Sequence, residues 1–266
     1  MSSSANVYTL VTGASNGIGR AMAEECARRG FNVLLVALPE PKLDEVTHNL
    51  KEKYPEQSFH SLGMDLMKVE AAEEIFGWCS SNSYTVDLLI NNAGLGNSGP
   101  FTSLPSKFYQ GQMQLNMSSL VSLTHLFLPM LLAQPKAFIL NVSSMAGFYD
   151  VPYKGIYSAS KKFVLSFSRS LNKELEATNV NISILCPGGV LTNEDVKLRT
   201  QELGYLARKA ALEPEVVAKY TLDKMFAKRV IIIPGGLAKV VNFMTGLMPY
   251  SMRSNIMANQ FMKNSR

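Results

Sequence analysis

The stretch Val7-Tyr-Thr-Leu-Val-Thr12-Gly13-Ala-Ser-Asn-Gly17-Ile-Gly19-Arg-Ala-Met-Ala-Glu-Glu-Cys-Ala-Arg-Arg-Gly30 decides the fold. Its first residues are apolar or β-branched and stop at Thr12-Gly13, as a buried strand does before a glycine turn. From Ile18 onward helix formers take over and close on Gly30, a C-terminal stop. Strand, glycine loop and helix in that order make the opening unit of a parallel α/β sheet.

The rest of the chain repeats the alternation. Asn32 to Ala37, Ser58 to Met64, Val86 to Ile90, Ala137 to Val142, Asn181 to Leu185 and Arg229 to Ile233 read as further strands. Leu43–Tyr54, Lys68–Cys79, Pro105–Leu132, a segment carrying Tyr157, and a segment opened by Glu213-Pro214 read as helices. The expectation is one doubly wound, Rossmann-type parallel sheet of about seven strands. It fills a single domain over residues 1–234, and residues 235–266 form an amphipathic C-terminal extension.

Glycines let the backbone approach a pyrophosphate, and the following helix offers unpaired amides and a positive dipole end. Gly13, Ser15, Asn16, Gly17, Ile18 and Gly19 are therefore expected to hold a dinucleotide, although the spacing Gly-x-x-x-Gly-x-Gly departs from the familiar Gly-x-Gly-x-x-Gly. The residues ending strand two normally meet the adenosine ribose. An Asp there would bind a 2′-hydroxyl, but this chain has Leu38-Pro39, with Lys42 just beyond. The lean is to NADP(H), on an absent acid plus nearby Arg20 and Lys42, with NAD(H) as the alternative. Asp65 either accepts from an adenine amino group, next to Leu66, or caps the helix that follows. Asn91-Asn92-Ala93-Gly94 ends strand four in small and amide residues, a turn able to pass beneath a flat ring. Asn116 is an awkward polar residue inside a long apolar helix, explained by structural hydrogen bonding or by catalysis.

Strand five delivers Ser143-Ser144 to the carboxyl edge of the sheet, where ligands sit in such folds. If Tyr157 begins the next helix, Lys161 falls one turn later on the same face. A free phenol has a pKa of about 10, and acid–base work near neutrality needs it lowered by roughly 2–3 units, about 3–4 kcal/mol. A neighbouring ammonium is a direct source of that stabilisation. Another bend at the same edge follows in Cys186-Pro187-Gly188-Gly-Val190-Leu191-Thr192. From Asn193 to Leu212 the periodicity fades, as in a lid or substrate loop.

Composition narrows the classes. Hydrophobic residues make up 47% of the 266 and charged residues 18%, which excludes a disordered chain. Cys26, Cys79 and Cys186 lie far apart with no metal-ligand pattern, so they are expected to be buried reduced thiols, and no metal is expected. There is no basic n-region before an apolar stretch at the start, and no uninterrupted apolar run of about 18, so the expected location is cytoplasmic. A net charge of +5 without a dense basic block argues against nucleic acid.

In order and separation, Thr12-Gly-Ala-Ser-Asn-Gly-Ile-Gly19, Asp65-Leu66, Asn91-Asn-Ala-Gly94, Asn116, Ser144, Tyr157-x-x-x-Lys161 and Pro187-Gly188 through Thr192 resemble the short-chain dehydrogenase/reductases. The likeness runs nearly to Pro234. It implies an active NAD(P)(H)-dependent oxidoreductase with a catalytic set of Asn116, Ser144, Tyr157 and Lys161. In that set Tyr157 is the general acid, Ser144 holds the carbonyl oxygen, Lys161 lowers the Tyr157 pKa and grips the nicotinamide ribose, and Asn116 supports a water that returns the proton. Pro187, Gly188, Val190 and Thr192 join the cofactor contacts. The resemblance also implies a homodimer or homotetramer.

The expected substrate-lining residues, Leu95, Met145, Phe148, Tyr149, Val151, Tyr153, Val190 and Leu191, are mostly apolar, and no Arg or Lys is evidently placed to clamp a carboxylate. The expected substrate is a hydrophobic ketone, aldehyde or secondary alcohol of steroid, acyl or other lipid type. A redox sensor or scaffold that binds NADP(H) without turnover is the competing class. Beyond Asp223 there is no acidic residue, while Leu237, Val240, Val241, Met244, Leu247 and Met248 recur at helical spacing among basic ones, and Met252, Ile256, Met257 and Phe261 follow. This tail is either a helix closing on the core or a subunit, or a segment that meets an acidic membrane surface.

Overall fold

The computed structural model describes residues 6–192, 211–246 and 248. The elements are β1 (Val7–Thr12), α1 (Gly17–Arg28), β2 (Asn32–Ala37), α2 (Pro41–Lys53), β3 (Phe59–Gly63), α3 (Ala71–Ser81), β4 (Thr85–Asn91), α4 (Ser106–Met113), α5 (Ser119–Leu132), β5 (Ala137–Val142), α6 (Gly155–Glu174), β6 (Val180–Leu185), α7 (Pro214–Phe226), β7 (Ile231–Ile232) and α8 (Gly236–Gly246). All seven strands pair in parallel in the order β3-β2-β1-β4-β5-β6-β7. The order reverses between β1 and β4, and that switch point opens a crevice outside their carboxyl ends.

Strand alternation sorts the core into two layers. Val33, Leu35, Ile90 and Leu140 face α1, α2 and α7 with Met22, Leu43, Val46, Val217 and Leu222. Leu34, Val36, Leu89 and Ile139 face α3 and α5 with Ile75, Leu123, Phe127 and Leu131. Strands apolar on both faces are what a covered parallel sheet requires. Cys26, Cys79 and Cys186 are free and buried in this interior, and burial pushes each thiol up to about 12.

Three elements depart from expectation. The helix expected from Lys68 starts at Ala71, because residues 65–68 first make a turn closed by Lys68 N–H to Asp65 O at 3.1 Å. The last strand shrinks to Ile231–Ile232, confined between Lys228 at φ 58° and Pro234-Gly235 at the sheet edge, where short strands resist further pairing. The long helix runs over Ser106–Leu132, 27 residues containing an 18-residue stretch of mean hydropathy 1.4, long and apolar enough to span a bilayer. It is interrupted at Gln114–Ser118 by a π turn, and its Leu123, Phe127 and Leu131 are buried in the core.

Candidate active site

The two loops at the switch point are tied directly to each other. Thr12 Oγ1 accepts from the Asn92 and Ala93 amides at 2.9 and 3.0 Å, and Asn92 Nδ2 donates to Thr12 O at 2.8 Å. Gly13 has φ 65°, and a Cβ on Gly19 would lie 2.1 Å from Gly13 O, so glycine is required at both for the loop to fold back on β4. Asn16 caps α1 with its side chain on Gly17 N–H at 2.9 Å, which leaves the next first-turn amides without intrahelical partners. There is no acid in that first turn. Thr192 is brought against the same loop: a Cβ on Gly17 would meet its Cγ2 at 2.9 Å. A glycine-lined helix start facing an open crevice fits a dinucleotide pyrophosphate, and Gly13, Ser15, Asn16, Gly17, Ile18, Gly19 and Thr192 are the residues that would hold it.

The outer cofactor positions are placed less uniformly. Leu38 ends β2 with 47% exposure, and Lys42 is exposed in the first turn of α2. Arg20 is engaged by Glu24 at 2.8 Å, which removes one support for the NADP(H) lean. The Asp65 carboxylate accepts from Met67 N–H at 2.9 Å and so stabilises a local turn rather than the helix start, while Leu66 is buried in the α3–α5 core layer. Pro187 is buried and its carbonyl accepts from Met145 N–H at 2.9 Å, whereas Gly188 is exposed and Val190 joins the core.

The reacting groups meet where β4, β5 and α6 converge. Ser144 follows β5 and accepts from Ala146 N–H at 3.1 Å, capping a short 3-10 turn over Met145–Phe148. Its side chain also hydrogen-bonds the Tyr157 phenol. Lys161 is buried one turn along α6, donates to Val142 O at 2.9 Å, and has Nζ 5.9 Å from the Tyr157 ring centre. Burial raises the Tyr157 pKa and the Ser144 hydrogen bond lowers it; the direct lowering by Lys161 expected from sequence is not among the influences on the phenol. Burial also depresses Lys161 to about 8, with a small opposing effect from Cys186. The ammonium thus titrates first and supports a phenolate only below that pH.

Asn116 occupies the π turn, a common mark of functional sites. Its Oδ1 accepts from Leu95 N–H at 2.8 Å, and its Nδ2 donates to Leu95 O at 2.9 Å and Ser160 Oγ at 3.0 Å. The side chain is a clamp on the loop after β4. Gln112, one turn earlier, donates to Leu95 O at 2.9 Å and Asn97 Oδ1 at 3.1 Å. Both Gly94 and Gly96 keep this loop thin: a Cβ on Gly94 would sit 3.2 Å from Lys161 Nζ, and one on Gly96 3.4 Å from Tyr157 Cε2.

Of the expected substrate residues, Leu95, Met145, Phe148, Tyr153 and Leu191 are half-buried around this corner, while Tyr149 and Val151 are fully buried. The Tyr149 hydroxyl accepts from Thr245 of α8 at 2.7 Å, so the extension docks beside the site. The expected lid lies outside the described residues up to position 210; Leu212 bridges Val190. Sequence reading missed Gly96, Gln112 and Lys154. Lys154 Nζ lies 5.9 Å from the Tyr157 ring centre, a basic side chain that the sequence reading did not bring to this corner. For Gly96 the signal was present in the Gly-x-Gly after Ala93; Gln112 and Lys154 carried none.

An open parallel α/β sheet with its switch-point crevice facing a Ser, Tyr and Lys defines a nucleotide-dependent oxidoreductase scaffold. The chain belongs to the short chain dehydrogenase family, whose pattern it matches over residues 8–203. It is 35% identical over 194 residues, 71% of its length, to the very-long-chain 3-oxoacyl-CoA reductase-B of Danio rerio, and spans 61% of that protein's length. In structure it is similar to a 7β-hydroxysteroid dehydrogenase, with TM-score 0.83, 25% identity and coverage of 94% of this chain and 96% of the other. A short-chain dehydrogenase from Sphingobium yanoikuyae in complex with NADPH gives TM-score 0.76 at 25% identity, covering 91% and 96%.

Proposed function

We propose that this protein is an NAD(P)(H)-dependent oxidoreductase acting on a hydrophobic carbonyl or the matching secondary alcohol, with a 3-oxoacyl thioester as the leading substrate. The observation that carries the reading is the buried Lys161 beneath a Tyr157 phenol that hydrogen-bonds Ser144. When bound, the nicotinamide supplies the hydride. Ser144 positions the carbonyl oxygen, and Tyr157, kept protonated by burial, donates its proton to it. While it is protonated, Lys161, with Nζ 5.9 Å from the Tyr157 ring centre, would offset part of the charge left on Tyr157. Asn116 spends its side chain on Leu95, so support for a returning water would come from its main chain.

The apolar lining and the 3-oxoacyl-CoA reductase relatives support a lipid-type substrate. NADP(H) is the favoured cofactor, on the absence of an acid at Leu38. The tail reading extends to a peripheral contact with anionic membrane, since Leu237, Val240 and Met244, at i, i+3 and i+7 of α8, are 41%, 58% and 51% exposed beside Lys239. Residence is cytoplasmic or at such a surface, and self-association as a dimer or tetramer would use exposed Phe163, stacked on Phe167 of α6. Parallel titration with NADPH and NADH, then a carbonyl screen with the tighter cofactor, tests the reading. Binding followed by reduction of apolar ketones supports it; tight binding with no turnover of any carbonyl would return the protein to the sensor class.

A further inference from the structure

Gln112 of α4 has no exposed surface, and half of its amide has no partner. Its Nε2 donates to Leu95 O at 2.9 Å and to Asn97 Oδ1 at 3.1 Å. A carbonyl oxygen can only accept, so Leu95 O requires the nitrogen on that side. Oε1 is thereby turned away, and it has no hydrogen-bond partner among the described residues. A buried oxygen in that state destabilises the fold, and an apolar side chain of similar length would avoid the cost. Neither acceptor depends on Gln112 alone: Leu95 O also receives Asn116 Nδ2 at 2.9 Å, and Asn97 is only half-buried in its loop. Stability therefore does not account for an amide at this position.

What the amide does is fix the loop after β4. Residues 94 to 96 form the wall on which the reacting side chains rest. A Cβ on Gly94 would sit 3.2 Å from Lys161 Nζ, and one on Gly96 would sit 3.4 and 3.5 Å from Cε2 and Cδ2 of Tyr157. Asn116 hydrogen-bonds this stretch at Leu95, whereas Gln112 reaches one residue past Gly96 to Asn97, so its two bonds bracket the glycine that touches the phenol ring. Further on, Gly99 N–H donates to Tyr153 O at 2.9 Å and ties the loop to the approach of α6.

We propose that Gln112 is a positioning residue for Tyr157, acting through Leu95 and Asn97 to hold Gly96 against the phenol ring and so keep the hydroxyl aligned for proton transfer. The inference rests on the carbonyl-reductase reading and deepens it. A displacement of about 1 Å at a reacting group can cost on the order of 100-fold in rate. An under-bonded amide kept at a cost to stability is what such a trade between stability and activity looks like.

The test measures wild type, Gln112→Met, Asn97→Ala and the double variant with NADPH and the N-acetylcysteamine thioester of a 3-oxo fatty acid, or an apolar monoketone where the thioester is not reduced. Methionine is unbranched like glutamine and leaves no polar orphan. Gln112→Met should lower kcat by about 10- to 100-fold, hold KM for NADPH within about twofold, and leave the urea midpoint unchanged or raised. A residue that only supported the fold would lower the midpoint and keep the kcat of the folded fraction. Asn97→Ala should lower kcat by about three- to tenfold, and the double variant should be no slower than Gln112→Met, because both substitutions break the same bond. Unchanged kcat in Gln112→Met, a loss matched by a lower midpoint, or losses that multiply in the double variant overturn the proposal. Should Gln112→Met fail to fold, Asn97→Ala decides alone, and kcat within about twofold of wild type overturns the assignment. Wild type that binds NADPH but reduces neither carbonyl sinks the reading itself; the other outcomes leave it standing.

Discussion

Lys161 is asked to be both buried and charged. Burial depresses its pKa to about 8, yet the role proposed for its charge is to offset a phenolate on Tyr157. The consequence is a pH dependence with a defined sign. Below about 8 Lys161 is protonated and reduction runs at its plateau; as pH rises through 8 the ammonium is lost and kcat/KM for reduction should fall, approaching tenfold per unit. A pH profile of kcat/KM measured from 6 to 10 checks this, and a rate that climbs through pH 8 to 9 would contradict it. Tyr157 and Lys161 were legible in the sequence because helix geometry alone puts them on one face. Gln112 and Gly96 were not, because their places at the site depend on how the loop after β4 closes on that face. Asn116 was legible only as an anomaly, and the structure resolves it into a clamp on Leu95 within a π turn.

Elements were readable where a period ran long and blurred where a local turn competed. Strands β1 to β6 fall within a residue or two of their expected bounds, whereas α3 starts late because the Asp65 turn takes the residues before it. Strand β4 also carries a cost: burial lifts the Asp87 carboxyl to about 6, opposed in part by a backbone hydrogen bond. In the unfolded chain the same group titrates near 4. Between pH 4 and 6 the folded state therefore holds more protons than the unfolded one, and stability falls as pH rises through that window. Asp87→Asn should remove this slope and stabilise the protein at pH 7 by about 1–2 kcal/mol, less than the ~3 kcal/mol that two pK units represent, since the site retains some solvent. Urea unfolding at pH 4.5 and 7 reads both effects. An unchanged slope in the variant would show that another group is responsible.

At the scale of the molecule, alternation of strand and helix was enough to anticipate the sheet, and the glycine loop was enough to anticipate which edge carries the site. The attachment of the extension was not readable, because a stripe of apolar residues does not say which of its neighbours faces inward. Thr245 bonds Tyr149 beside the site while Leu237, Val240 and Met244 stay exposed. A membrane role can thus be tested without disturbing the anchor: replacing Leu237, Val240 and Met244 together by Glu should abolish co-sedimentation with anionic vesicles and spare activity on a soluble monoketone, and unaltered vesicle binding would end the idea. The central claim is that Tyr157 protonates a carbonyl oxygen at this site. Its most direct test is a paired measurement on Tyr157→Phe, of NADPH binding by fluorescence titration and of NADPH oxidation with a 3-oxoacyl thioester. The account predicts unchanged binding and turnover reduced at least 1,000-fold, roughly 4 kcal/mol of transition-state stabilisation, which is within the range of general acid catalysis; turnover within about tenfold of wild type would contradict it.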